Sequence, residues 1–249
     1  MRIAIALSFS LLLAACVTER SPGLTRQESK PLAAAELNVR LGFEYLQKGR
    51  RADAVIKFER ALEQDPDNAQ ARYGLALVHE QVNDIKEARR WYTAAIDKAP
   101  KDPGIRNAYG TFLCRHDEYQ AAEVAFLEAA RNLNYRTPEF AYANAGLCAR
   151  RAKDEVKAEG YLRAALESNP TYAPALFELA ELKLAQGDAL RSRAFLQRLR
   201  EVARPDARML LLSYRTELAL GDTRSAQRFA DQLKREFPGS TEAGELSKR

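Results

Sequence analysis

From about residue 35 to residue 240 the chain alternates short amphipathic runs with polar breaks, and the breaks recur at a fixed interval. Aligning on Pro66, Pro100, Pro170 and Pro238 gives steps of one period of 34, two periods plus two residues, and two periods. The implied units are 35–68, 69–102, 103–138, 139–172, 173–206 and 207–240, the third carrying two extra residues. Within the second unit Ala88, Tyr92, Ala95 and Ile96 fall on one face at helical spacing, which predicts an amphipathic helix. Each unit has room for two such helices. The turns between them are marked by Lys48-Gly49, Asn83-Asp84, Gly187-Asp188 and Gly221-Asp222, where Gly or Asn accepts the left-handed backbone that ends a helix. Asp65 and Asn68, flanking Pro66, supply a break and capping side chains.

Side-chain size is periodic as well. Just before the middle of each first helix stand Gly42, Ala76, Gly110, Gly146, Ala180 and Tyr214, and early in each second helix Ala54, Ala88, Ala122, Ala158, Ser192 and Ala226. Four residues beyond the second column come Phe58, Tyr92, Phe126, Leu162, Leu196 and Ala230. Small residues admit a neighbouring helix and the bulky one fills the gap beside it, as ridges-into-grooves packing requires. A generic helical bundle would not hold the period. These columns resemble the tetratricopeptide repeat, and the resemblance implies an all-α chain wound as a right-handed superhelix of about six helix-turn-helix units. Three residues beyond the bulky column, Ala61, Ala95, Ala129 and Ala165 give way to Leu199 and Leu233, and these departures, with Tyr214 and Ala230, are those expected of a capping end. Residues 241–249 read as a tail.

The first sixteen residues carry a different signal. Met1 and Arg2 precede an apolar run from Ile3 to Leu13, the n-region and h-region of an export signal. That run is shorter than the roughly 20 residues a membrane span needs. Leu13-Ala14-Ala15-Cys16 resembles the lipobox of bacterial lipoproteins, which implies removal of residues 1–15 and lipidation of Cys16. Several acyl chains, at about 0.8 kcal/mol per buried methylene, hold far more firmly than one. Val17 stands where an aspartate would resemble an inner-membrane retention signal, so the resemblance implies the outer membrane. Residues 16–34 lack apolar periodicity and read as a lipidated N-terminus and tether.

The net charge is +5, read as a mild surplus spread along the chain, which together with export argues against nucleic acid as a partner. HExxH, GxSxG and phosphate-cradling glycine loops are absent, so neither enzyme activity, a cofactor, a metal nor a small-molecule substrate is expected. His79 falls in a first-helix column usually filled by an aromatic residue and reads as packed. His116, followed by Asp117 and Glu118, could imitate a metal site but lies in an inter-helix turn, where a solvated polar cluster is expected.

Cys114 and Cys148 lie on equivalent first helices of the third and fourth units, which stacking places about 10 Å apart. In an oxidising export compartment they could clasp the two units; the other reading is two reduced core thiols. In this repeat family the first helices line the concave side, where ligands usually bind. Val39, Phe43 and Leu46, then Tyr73 and Leu77, make the N-terminal half of that groove apolar, whereas Asn107, Thr111, Arg115, Arg150 and Arg151 make the middle polar to basic. An apolar trough suits an amphipathic or extended partner segment; alternatively Phe43 and Leu46 serve packing alone.

Longer stretches narrow the resemblance. Asn107–Cys114, Tyr142–Cys148, Ala175–Ala180, and Leu218–Asp222 leading to Phe237–Ser240, with the lipobox, the paired cysteines and the two-residue insertion, resemble the PilF/PilW family of type IV pilus biogenesis lipoproteins. That resemblance implies an outer-membrane pilotin on the periplasmic face, whose partner is the type IV pilus secretin and which promotes secretin localisation and multimerisation. Another periplasmic repeat adaptor, in outer-membrane or cell-wall assembly, is the alternative.

Overall fold

The computed structural model describes residues 29–246, all of whose regular structure is helical. Six antiparallel pairs follow one another: α1 (Ser29–Gln47) with α2 (Arg51–Gln64), α3 (Ala69–Gln81) with α4 (Ile85–Lys98), α5 (Pro103–Arg115) with α6 (Tyr119–Ala130), α7 (Pro138–Arg151) with α8 (Glu155–Ser168), α9 (Ala173–Ala185) with α10 (Ala189–Val202), and α11 (Ala207–Ala219) with α12 (Thr223–Glu236). A short α13 (Thr241–Leu246) closes the stack. The chain is a tetratricopeptide-type superhelix.

One residue of left-handed backbone separates the helices of every pair: Gly49, Asn83, Asp117, Lys153, Gly187 and Gly221, with φ between 59 and 80°. These positions are 34 apart except for the step from 117 to 153, which is 36. The next residue is aspartate in four pairs, and each caps the second helix. Asp84 accepts from the Glu87 amide at 3.2 Å, and Asp154, Asp188 and Asp222 accept from Lys157, Arg191 and Ser225 at 3.0 Å. A side-chain oxygen at this position satisfies one of the orphan donors of the first turn. Asn68, Asp102 and Asp206 do the same for α3, α5 and α11. The extra length of the third unit lies in residues 131–137, between α6 and α7.

Two boundaries differ from the sequence reading. Residues 29–34, expected in the tether, form the start of α1. Proline is tolerated in a first turn, and the Ala33-Ala34-Ala35 run after Pro31 favours helix. Asn38 fixes this end by donating to Gln64 at 2.9 Å and to the Ala34 carbonyl at 3.1 Å. Residues 241–246, expected in a tail, form α13. The Ser240 hydroxyl accepts from the Ala243 amide at 3.1 Å, and Ala243 buries against Leu210, Leu211 and Leu233 with Phe237 and Leu246 beside them. Without this cover the last pair would expose its apolar face, the usual problem of a terminal repeat.

The core runs along the stack as successive clusters at the seams between units. Phe58 of α2 is fully buried and enters between α1 and α3 at two glycines. A Cβ added to Gly42 would lie 2.5 Å from Phe58 Cε1, and one added to Gly74 would overlap the same ring. Phe126 sits against Gly110 in the same way two units on, a Cβ there falling 2.7 Å from its Cε1. Lys183 is 4% exposed and is neutralised by Glu159 at 2.5 Å, with Gln186 accepting at 2.9 Å.

Candidate functional site

Neighbouring first helices touch directly, α1 with α3, α5 with α7, α7 with α9 and α9 with α11, and no two second helices pack to a comparable extent. The first helices therefore form the inner side of the curve. Its N-terminal end is aromatic. Phe43 of α1 is half-buried, edge-on to Phe58 at 5.1 Å and 5.8 Å from Tyr73 of α3. Tyr73 lies 6.1 Å from Tyr92, which in turn lies 5.5 Å from Tyr109 of α5. Leu77 is half-buried and packs against the clusters of both the first and the second seam. Burial, with the charges of Glu80 and Asp102, pushes the Tyr73 hydroxyl above its ordinary value.

Of the five residues expected in the trough, Phe43, Tyr73 and Leu77 keep exposed surface. Val39 and Leu46 are 8% exposed and belong to the core beneath it. The correction has a physical cause: α1 packs against α2 and α3 together, and a helix held on two sides buries a wide apolar stripe. Tyr109, which no apolar column singled out, extends the aromatic row onto α5.

The middle of the inner face is polar, as expected, but its arginines are paired. Arg115 bonds Glu80 at 2.5 Å, and Glu80 also accepts from the Tyr92 hydroxyl at 2.8 Å. Arg150 bonds Glu178 and reaches Glu181 at 3.2 Å, while Arg151 lies 3.7 Å from Asp117. Burial raises the Glu178 carboxyl, and the Arg150 guanidinium opposes that shift. Asn144 donates to Asn107 at 3.0 Å, joining α5 to α7, and Thr111 donates to the Asn107 carbonyl at 3.2 Å. Of the polar-to-basic middle that was expected, the polar character stands, and its arginines are internally neutralised.

Cys114 and Cys148 are joined in a disulfide, with Cα atoms 5.8 Å apart, and are 6% and 3% exposed. This is ordinary stacking: with each Cα about 2.3 Å off its helix axis, axes about 10 Å apart bring facing Cα atoms to within about 5–6 Å. His79 Nδ1 lies 3.4 Å from Asp84, and His116 ends α5 with its ring 4.7 Å from Phe112. Among the described residues no three His, Cys, Asp or Glu side chains converge. Cys16 and the lipobox lie outside the described residues.

On the outer side of the stack, Glu123 of α6 accepts from Lys157 at 2.8 Å and from the Tyr161 hydroxyl. Burial, reinforced by that hydrogen bond, pushes the Tyr161 hydroxyl up to about 12. Because Lys157 and Tyr161 both stand on α8, the contact ties the third unit to the fourth.

Family models described as tetratricopeptide repeat match residues 39–103 and 149–213. With the paired helices and their 34-residue step, they make this a tetratricopeptide-repeat protein. Along nearly its whole length it is similar to the type IV pilus assembly protein PilF of Pseudomonas aeruginosa, 28% identical over 245 residues that cover 98% of this chain and 97% of that one. A solved structure of Pseudomonas aeruginosa PilF superimposes with a TM-score of 0.76, covering 88% of this chain and 99% of that one. PilW, a type IV pilus biogenesis factor, superimposes with a TM-score of 0.75 at 28% identity, covering 85% and 97%. An uncharacterized protein of Haemophilus influenzae is 30% identical over 144 residues, 58% of this chain and 78% of that one. The chain belongs to the PilF/PilW-like tetratricopeptide-repeat proteins of type IV pilus biogenesis.

Proposed function

We propose that this protein is an outer-membrane pilotin: it binds the type IV pilus secretin subunit, is anchored on the periplasmic face through lipidated Cys16, and promotes secretin localisation and multimerisation. The observation that carries the reading is the half-exposed aromatic trough of Phe43, Tyr73 and Leu77 on the inner face, in a chain similar end to end to PilF. An apolar side chain left partly open on an inner face is available to a partner segment. Anchoring such a site concentrates the bound subunits at one membrane, which favours assembly without new contacts between them. The protein then acts by binding and positioning, with no chemical step.

Co-purification of the secretin with the full chain, compared between wild type and Leu77→Glu, tests the binding. The wild type is expected to retain the secretin and the variant, checked for native helicity, to lose it; equal recovery refutes the trough as the site. Cys16→Ala tests the anchor: secretin multimers resolved on gels are expected to fall, and an unchanged multimer level with the variant released from the membrane contradicts the escort role.

A further inference from the structure

The positive surplus is not spread along the chain. Residues 189–249 hold thirteen Lys and Arg against eight Asp and Glu, which accounts for the whole net charge of +5. Several of these arginines are engaged internally. Arg193 bonds Glu217 and lies 3.7 Å from Asp222, Arg215 bonds Glu245, Arg198 donates to the Pro170 carbonyl at 3.0 Å, and Arg200 lies over the Phe229 ring at 5.3 Å. Arg204 and Arg208 differ. They stand at the mouth of a cleft of about 290 Å³ between the N-terminal halves of α9 and α11, closed by the end of α10.

The floor of this cleft is apolar: Leu199 and Met209 are 4% and 3% exposed, and the Phe177 ring is half-buried beside them. Arg208 lies over that ring at 4.5 Å, and its nearest carboxylate oxygen, on Glu181, is 3.9 Å away. Arg204 is exposed and has no ion-pair partner among the described residues. The two acids that line the cleft are already taken. Asp206 accepts from the Met209 amide at 2.8 Å as the cap of α11, and Glu178 is bonded by Arg150. The rim therefore presents positive charge over an apolar floor.

The volume is just below the range of roughly 300–1,000 Å³ for small-molecule sites, which suits one large side chain better than a whole cofactor. We propose that this cleft is a second docking site, taking an aromatic or branched apolar side chain flanked by Asp or Glu from an acidic segment of a partner protein. It lies at the opposite end of the stack from the aromatic trough and does not depend on the secretin reading. A flat anionic surface would engage the two guanidinium groups but leave the apolar floor unused.

The test is fluorescence anisotropy of the purified full chain with a labelled peptide carrying Asp-Glu-Phe-Asp-Glu between Gly-Ser flanks. Two control peptides replace the Phe by Ser or the acids by Lys. Saturable binding of the acidic aromatic peptide is expected, at least tenfold tighter than either control. Arg204→Glu/Arg208→Glu is expected to weaken it at least tenfold. Arg224→Glu/Arg228→Glu on exposed α12, the same change of charge outside the cleft, is expected to leave it within twofold. Ala203→Trp, which fills the cleft without touching its charge, blocks binding by a separate route, with helicity checked by circular dichroism. Equal binding of the Ser or Lys peptide, or equal loss in the α12 variant, overturns the proposal. So does absence of peptide binding alongside Arg204/Arg208-dependent sedimentation with phosphatidylglycerol vesicles, which would assign these arginines to a lipid surface.

Discussion

Two glycine-to-alanine substitutions, both inside helices, are expected to move stability in opposite directions. Gly160 on α8 has nothing within 4 Å of an added Cβ, so Gly160→Ala gains the helix-propensity difference of about 0.8–1 kcal/mol. Gly74 on α3 carries the same intrinsic gain, but its added Cβ would overlap the Phe58 ring. That ring has no free direction to yield. It is fully buried, Gly42 confines it from α1, and Phe43 packs edge-on to it at 5.1 Å. Overpacking a filled core costs about 1–3 kcal/mol, so after the propensity gain Gly74→Ala loses up to roughly 2 kcal/mol. Urea unfolding followed by far-ultraviolet circular dichroism measures both. Trp91, the single tryptophan, packs at the seams of the first two units and reports on them by fluorescence. Phe58→Leu introduced with Gly74→Ala should recover part of the loss, because the smaller side chain vacates the contested space. If Gly74→Ala raises the midpoint as Gly160→Ala does, the helices are not spaced as described and the packing argument fails.

Three further outcomes follow from individual contacts. Ser192 and Thr216 exchange a buried hydrogen bond at 2.9 Å between α10 and α11; Ser192→Ala, which strands the Thr216 hydroxyl, should cost about 1–3 kcal/mol. Ser192→Ala/Thr216→Val should be much closer to neutral in the same urea assay, and additive losses would contradict the pairing. Replacing both Cys114 and Cys148 by serine opens a link spanning 34 residues and should lower unfolding free energy by about 3.8 kcal/mol in the chain-entropy model; non-reducing mass spectrometry that finds two alkylatable thiols in the wild type would contradict the link. Tyr161 should titrate near pH 12 in a carbon-13 tyrosine NMR titration, assigned with Tyr161→Phe. Because its folded value is raised, its stabilising contribution is intact below pH 10 and is lost as pH rises from 10 to 12. A midpoint at 10 would show that Tyr161 is neither buried nor bonded to Glu123 as described.

The repeat order was legible because most periods fix several things at once: a left-handed turn, in four pairs an aspartate cap, a small residue and the bulky one that faces it. Gly49, Gly187 and Gly221 announce their turns, whereas Asp117 and Lys153 adopt the same backbone without a residue type that signals it. Gly74 belongs to no small-residue column. Its role appears only when α2 and α3 are in contact, since the ring it admits lies sixteen positions earlier. The trough was half legible. Helical phase places Val39, Phe43 and Leu46 on related faces, but only the packing of α1 against two neighbours decides which remain open. The pairing of Arg115 and Arg150 with glutamates one repeat away is likewise invisible in any single unit. At the termini, helix formation by residues 29–34 and 241–246 reflects the need to cover the ends of a stack, a demand that composition does not record.

The claim on which the functional account turns is that the partner lies along the inner aromatic trough. A photoreactive benzoyl-phenylalanine placed at Tyr73 on α3, or at Val124, 56% exposed on second helix α6, tests it in piliated cells. A cross-linked adduct containing the secretin is predicted from position 73 and not from position 124. Secretin captured from 124 alone, or never from 73 while pili are made, contradicts the account.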